Sequence, residues 1–510
     1  VAFIVENQLH TVLATSLYNE ILSGRTNFHF FMGGQFGVTL PNPDTTTNFE
    51  LLTRNNLLST QYVSPANISL TINRINWISG TVYDFYDDNI ATYPAYSTAT
   101  SLTNAQFYVY TTNNCVYKCL NNNNNAQSTV MPTGTSTSRF TTADGYIWKF
   151  MYNIPAASVN RFVNSAVIPV QISVQEPFYS NGLITSTTIN NQGSGYTTAT
   201  IAVVGDGTGA ILTPVLSGGQ ITNVTVTNPG VGYTYAILTV VGTGGTGATL
   251  TANMSVGDMS TNQSSVELLA VNGSIENCPI IIGGSGYTSA TVLISGDGTG
   301  ATATANISGG VITSLTMVTQ GSGYHYATVT ITGNGTGATA RAIMSPQGGH
   351  GHNAINELCT NRILFYSTVT TYLNQGITIN NSVTQCGLIR DIRNYGSSIL
   401  YYGTSGSPLF VFNLTGSSFQ INDILQNAST GNTYSVFAIN GSQALVMNLN
   451  NEIPTINMTL NNTSRVGINV ISAITNPTID KFSGDLLYVD NASSTQSPDQ
   501  IITFKTSIEF

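Results

Sequence analysis

One block of text recurs along this chain and limits what the chain can fold into. It reads "GSGYTTATIAVVGDGTGA" at 193–210, "GSGYTSATVLISGDGTGA" at 284–301 and "GSGYHYATVTITGNGTGA" at 321–338. A diverged copy surrounds Tyr233, so Tyr196, Tyr233, Tyr287 and Tyr324 mark four repeats spaced 37, 54 and 37 residues apart. Extra residues around 257–275 account for the long interval, and two repeat pairs with an interruption between them is the simplest description. Each copy reads as strand, Gly turn, strand, Gly-Gly turn, strand. In "ATVTITG" (327–333) Val329 and Ile331 alternate with threonines, as one buried face of a strand requires. The third strands, "ITNVTVT" (221–227) and "ITSLTMV" (312–318), break alternation by one step after the first Ile. A β-bulge there restores a single apolar face.

The glycines do not read as a ligand loop. "GDGTGA" leads from strand to strand, whereas a phosphate cradle needs a helix N-terminus behind it. Its one carboxylate becomes Asn334 in the last copy and is missing from "GTGGTG" (242–247), while calcium takes six to eight oxygens. Gly195–Tyr196, Gly286–Tyr287 and Gly323–Tyr324, with Tyr233, are therefore expected to be structural repeat residues. The tyrosines serving as a sugar-stacking platform is the competing reading. On the structural reading Gly195 and Gly207 provide backbone geometry.

Composition sets this module apart. Of 49 glycines, 29 fall in 181–347, but only six of the 37 charged residues do. The span is expected to be an inserted module separable from its flanks. The whole chain is short of charge, at 7% Asp, Glu, Lys and Arg against about 25% usually. Its net charge of −9, with no basic run, argues against a nucleic-acid partner. No apolar run approaches the ~18 residues of a membrane helix, and the N-terminal text shows no secretory signal.

Outside the insert, "QLHTVLATSLYNEIL" (8–22) carries helical spacing and ends at Ser23-Gly24. "AQFYVYTT" (105–112), "GYIWKFMYNI" (145–154), "NRILFYSTVTTYL" (361–373) and the C-terminal "ITFKTSIEF" read as strands, and the Asn run 121–125 as a loop that buries nothing. The expected fold is mainly β: antiparallel β layers or sandwiches in several domains, one N-terminal helix and the Gly-rich insert. Residues 1–180 and 348–510 would form a discontinuous core, with a small β insertion near 396–465.

Chemistry is scarce. Cys115, Cys119, Cys278, Cys359 and Cys386 are odd in number and scattered, so buried thiols are expected, not a disulfide framework or a zinc site. His350 and His352, with Glu357, are the one weak metal candidate, discounted because the loop is glycine-rich. Asp87, Asp88 and Asp144 could supply a hydrolytic carboxylate pair, but Asp144 sits in ordinary turn chemistry. No catalytic residue and no cofactor is expected.

The stretch "VYKCLNNNNNAQSTVMPTGTSTSRFTTADGYIWKFMYNIP" (116–155) resembles the baseplate wedge protein of T-even-type contractile-tailed phages, the eighth gene product of that family. Asp144, Gly145, Tyr146, Trp148 and Pro155 carry the family-like "DGY-W…IP" pattern. "NFHFFMGGQFG" (27–37) and "ITNPTIDKFSGDLLYVDNASSTQSPDQIITFKTSIEF" (474–510) are similar in kind and order. The resemblance covers roughly 1–175 and 350–510 and leaves the insert out. It implies a non-enzymatic virion protein of the tail baseplate, made in the host cytoplasm. It also implies a homodimer within each wedge of a six-fold baseplate, bound to other wedge proteins. A tail-fibre or adhesin-type carbohydrate-binding module is the alternative.

Overall fold

The computed structural model describes residues 6–510 apart from 24–25, 35–46, 94, 172–182, 206–207, 232–235, 256–262, 370–371, 374–376, 379–382, 451 and 492–501. Tyr233, Gly207 and Asp206 lie outside the described residues. The chain is 52% strand and 10% helical, so it is a mainly β protein of many antiparallel sheets with one N-terminal helix, Glu6–Ser23. It divides into two compact units. One holds Val1–Asn19, Ser69–Ile363 and Ile508–Phe510; the other holds Glu20–Ile68 and Leu364–Ser507. The insert lies wholly in the first, and the flanks are shared between the two.

In the first unit, Tyr108–Tyr110, Cys115–Asn121, Ile147–Asn153 and Phe140–Thr141 form a four-stranded sheet in that order. The central strand Ile147–Asn153 is buried along both faces, which suits its aromatic and apolar text. Tyr83, Val109, Tyr117, Trp148 and Phe150 make the core beneath it. Val266, from a short helix Gln263–Leu268 inside the 257–275 interruption, joins that same core and is fully buried. The insert is thus pinned to the preceding sheet through its own interruption. Removing 181–347 would take Val266 out of that core.

The repeats interlock in pairs. Ala290–Gly296 pairs with Ala327–Gly333, Thr299–Ser308 with Val311–Ser322, and Ile280–Ser285 with Thr336–Ala340, all antiparallel. The first pair follows the same scheme: Thr198–Gly205 with Ala236–Thr243, Thr208–Ser217 with Gln220–Val231, and Leu183–Ser194 with Thr246–Ser255. The first strands of the two repeats pair with each other, and the strand that precedes each pair closes on its last strand, so neither repeat closes a sheet alone. The bulge read from the sequence is present. Register slips between Val215 and Leu216 opposite Ile221–Asn223, and between Asn306 and Ile307 opposite Ile312–Ser314. Ile221 and Val224, like Ile312, Leu315 and Met317, are consequently all buried on one side.

In the second unit, Ser405–Gly406, Leu57–Tyr62, Phe28–Gly34, Val383–Arg390 and Asp485–Asp490 form a five-stranded sheet in that order. Six strands between Phe410 and Thr475 close a barrel around Phe410, Phe412, Leu425, Tyr434 and Leu460. This barrel overlaps the 396–465 stretch and runs past its end. Arg54, buried on the helix Thr47–Asn56, donates to the carbonyls of Lys481, Ser483 and Gly484, ordering a turn that has no ladder of its own.

Candidate functional site

The repeated letters come together in space as one device. The ring of Tyr287 from the third repeat lies on the "GNGTGA" loop of the fourth, and Tyr324 of the fourth lies on "GDGTGA" of the third. Tyr196 takes the same seat on the loop at 242–248. A Cβ on Gly335 would fall 2.5 Å from Tyr287 Cγ, and Cβ atoms on Gly245 and Gly298 would overlap the rings of Tyr196 and Tyr324 in the same way. The tyrosine hydroxyls accept the backbone N–H groups of Ala248, Ala338 and Ala301 at 3.3, 3.4 and 3.4 Å. Their own main-chain N–H groups donate to Gly219, Gly310 and Gly273. Gly273 belongs to the interruption, so that segment supplies the turn the fourth repeat would otherwise lack.

Gly195, Gly286 and Gly323 all take positive φ, at 80°, 79° and 75°. At Gly195 the space is closed as well, since a Cβ would meet Gly244 O at 2.8 Å. Tyr196, Tyr287 and Tyr324 are only 6, 3 and 4% exposed, which leaves no ring face for a sugar. The loop's polar residue also has an internal task. Asp297 Oδ1 accepts from the backbone N–H groups of His325 and Tyr326, and Asn334 Oδ1 from those of Thr288 and Ser289. An amide oxygen does this as well as a carboxylate, which explains how Asn stands in for Asp.

The "DGY-W" residues form a second constellation. Asp144 Oδ2 accepts from the backbone of Thr129 and Val130, and Oδ1 from the Thr142 hydroxyl and Tyr146 N–H. Partial burial raises its pKa, but these hydrogen bonds outweigh burial and hold the carboxyl below its ordinary range. Gly145 turns at φ 81°, against Asn123. Tyr146 then stacks on Trp148 at 5.4 Å and donates to Ala126 O. Pro155 precedes the helix Ala156–Phe162. Asp87 and Asp88 are far from this group in role: both are paired with Arg341, and Asp88 also accepts from Met344 N–H at 3.0 Å.

The histidine loop closes on a buried ion pair that sequence reasoning missed. Glu357 is bonded to Lys118 and accepts the N–H groups of Gly351 and Asn353. Both charges are buried, and the Lys118 ammonium also faces the Tyr86 ring at 4.8 Å. Such a pair is costly to break, because either member alone would be an uncompensated buried charge. A single lysine within the apolar strand text "VYKCL" was the available signal. His350 is buried edge-on to Tyr86 at 5.0 Å, and neither ring nitrogen has a hydrogen-bond partner among the described residues. Burial, then the Lys118 and Lys149 ammoniums, drive its pKa well below the ordinary value. His352 points instead to Glu267 O. Among the described residues, no three His, Cys, Asp or Glu side chains are grouped to hold a metal. The five cysteines are free, and burial raises each thiol's pKa.

The Asn run behaves differently from its reading as a loop that buries nothing. Asn121 ends a strand, and Asn122 is buried, donating to Tyr83 O and to Asn125 Oδ1. Beside this run opens a cleft of about 770 Å³, lined by Tyr93, Tyr96, Asn121–Asn125 and Thr313–Met317 among others. No helix in the described residues is long and apolar enough to cross a membrane. Compared with known proteins, the chain matches no protein-family model and no curated protein.

Proposed function

We propose that this chain is a structural virion protein, a subunit of the baseplate wedge of a contractile phage tail, acting through protein–protein contacts and not as an enzyme. The observation that carries the reading is how the chemically capable side chains are engaged. Glu357, Asp87, Asp144, Tyr196, Tyr287 and Tyr324 all hold backbone or close an ion pair. The ordered resemblance of the flanks supplies the kind of particle. On the helix Glu6–Ser23, Leu9, Val12 and Leu13 share one face and are 41, 60 and 43% exposed, as a contact surface for a neighbour would be.

On this reading the chain pairs as a homodimer and meets other wedge proteins around a six-fold baseplate. Light scattering on the purified chain should give a dimer, and Val12→Glu should shift it toward monomer without lowering its melting temperature. A stable trimer would favour the fibre-like alternative and sink the wedge assignment. Labelled antibody decorating particles away from the tail end would do the same.

A further inference from the structure

We infer that the 770 Å³ cleft beside the Asn run is a binding site for a short neutral saccharide. Its size falls within the roughly 300–1,000 Å³ of small-ligand sites. The first observation is conformational. Asn123, Asn124 and Asn125 take φ of 51°, 55° and 62° in succession. Among the described residues no other consecutive non-glycine residues do so, in a chain that otherwise uses glycine wherever φ turns positive repeatedly. Strained backbone of this kind is kept where the side chains matter.

Two of the three side chains have internal tasks. Asn123 Nδ2 donates to Asp144 O, and Asn125 Oδ1 accepts from Asn122. Asn124 has none among the described residues; it is exposed on the cleft, where a glycine would serve the backbone better. What Asn124 adds is an amide, one donor group and one acceptor side by side, which matches vicinal sugar hydroxyls. Tyr96, 55% exposed on the same cleft, adds an aromatic face of the kind that packs on a sugar ring. Thr313 and Thr316 also line the cleft, their hydroxyls held by Asn306: Thr313 donates to its carbonyl and Thr316 accepts from its amide.

Charge selects the ligand class. The two cationic side chains lining the cleft are already neutralised: Arg341 pairs with Asp87 and stacks at 4.1 Å over Tyr93, and Arg139 pairs with Glu276 at 3.3 Å. An acidic sugar would find no free cation there, so a neutral one is the match. This site is separate from the repeat tyrosines and does not depend on the assembly proposal.

The test is a glycan array with the full chain, neutral and acidic glycans side by side, followed by calorimetric titration of the hits. Neutral glycans should be retained. Asn124→Gly and Tyr96→Ala should each weaken binding tenfold or more, with melting unchanged, or raised for Asn124→Gly. Retention of no glycan, or of acidic glycans alone, overturns the inference. So does unchanged affinity in both variants, which would place any binding elsewhere on the chain.

Discussion

The two repeat pairs are written in nearly the same letters but are locked differently. In the second pair, Asp297 and Asn334 each reach across to the partner repeat and accept two backbone N–H groups. In the first pair the loop under Tyr196 is one residue longer, "GTGGTGA" in place of "GDGTGA", and turns through Gly244 at φ 81°. There the carbonyl of Thr243 accepts the Thr197 N–H, and the Thr243 hydroxyl bonds those of Thr197 and Thr198. The second pair also has extra anchoring from outside the repeats, with Ile275, Cys278 and Ala342 in its core and Gly273 holding Tyr324. The tyrosine seat is common to both, while the caps and anchors are local. A repeat therefore fixes topology, and its neighbours set how tightly that topology is held.

The largest effect should come from filling the seat itself. Gly298→Ala places a methyl against the Tyr324 ring and should cost roughly 3 kcal/mol, as overpacking of a closed site does. Gly247→Ala, at φ 84° with open space around it, should cost only the backbone strain of about 1–2 kcal/mol. Amide exchange across both pairs would read the difference. Equal costs would mean that the ring seat is not what the glycines are for. Because strands are traded within a pair, the loss at 298 should extend to 327–340 and reach 198–250 far less.

Next come the caps. Asn334→Ala strips the acceptor from two N–H groups and should cost about 1–2 kcal/mol in the second pair. Asp297→Asn should be tolerated, since Asn334 shows the amide doing the same work. A large loss in Asp297→Asn would show that charge, not geometry, makes the cap.

Acid should separate the two caps further. Asp297 has its pKa held down at about 2, chiefly by the His325 N–H. A lowered carboxylate stabilises the fold fully above its ordinary pKa of 3.8 and loses that contribution as pH falls toward 2. Protection of His325 and Tyr326 should therefore fall over that range relative to Thr288 and Ser289, whose acceptor Asn334 does not titrate. Parallel behaviour of the two sets would break the distinction.

The smallest effect is Tyr287→Phe. The ring stays in its seat and only the 3.4 Å hydrogen bond from Ala338 is lost, so the cost should stay below about 1 kcal/mol by thermal melting. A larger loss would move the weight from the ring to the hydroxyl.

Much of this molecule was legible because its signals are local. Alternation along 327–333, the one-step slip after Ile221 and Ile312, and the turn glycines all depend on residues a few positions apart. Such patterns determine strand, bulge and turn before any partner is known. Tertiary structure alone decided the partners. Lys118 meets Glu357 across 239 positions, Val266 leaves the insert to fill the core at Trp148, and Tyr196, Tyr287 and Tyr324 each sit on the glycine loop of the other repeat in the pair. None of these has a period or a spacing, because they are set by which surfaces meet after the strands have paired. The cleft by Asn124 belongs to that second class. The letters "NNNNN" announced a turn, but only the folded chain brings it to one cleft with Thr313 and Tyr96.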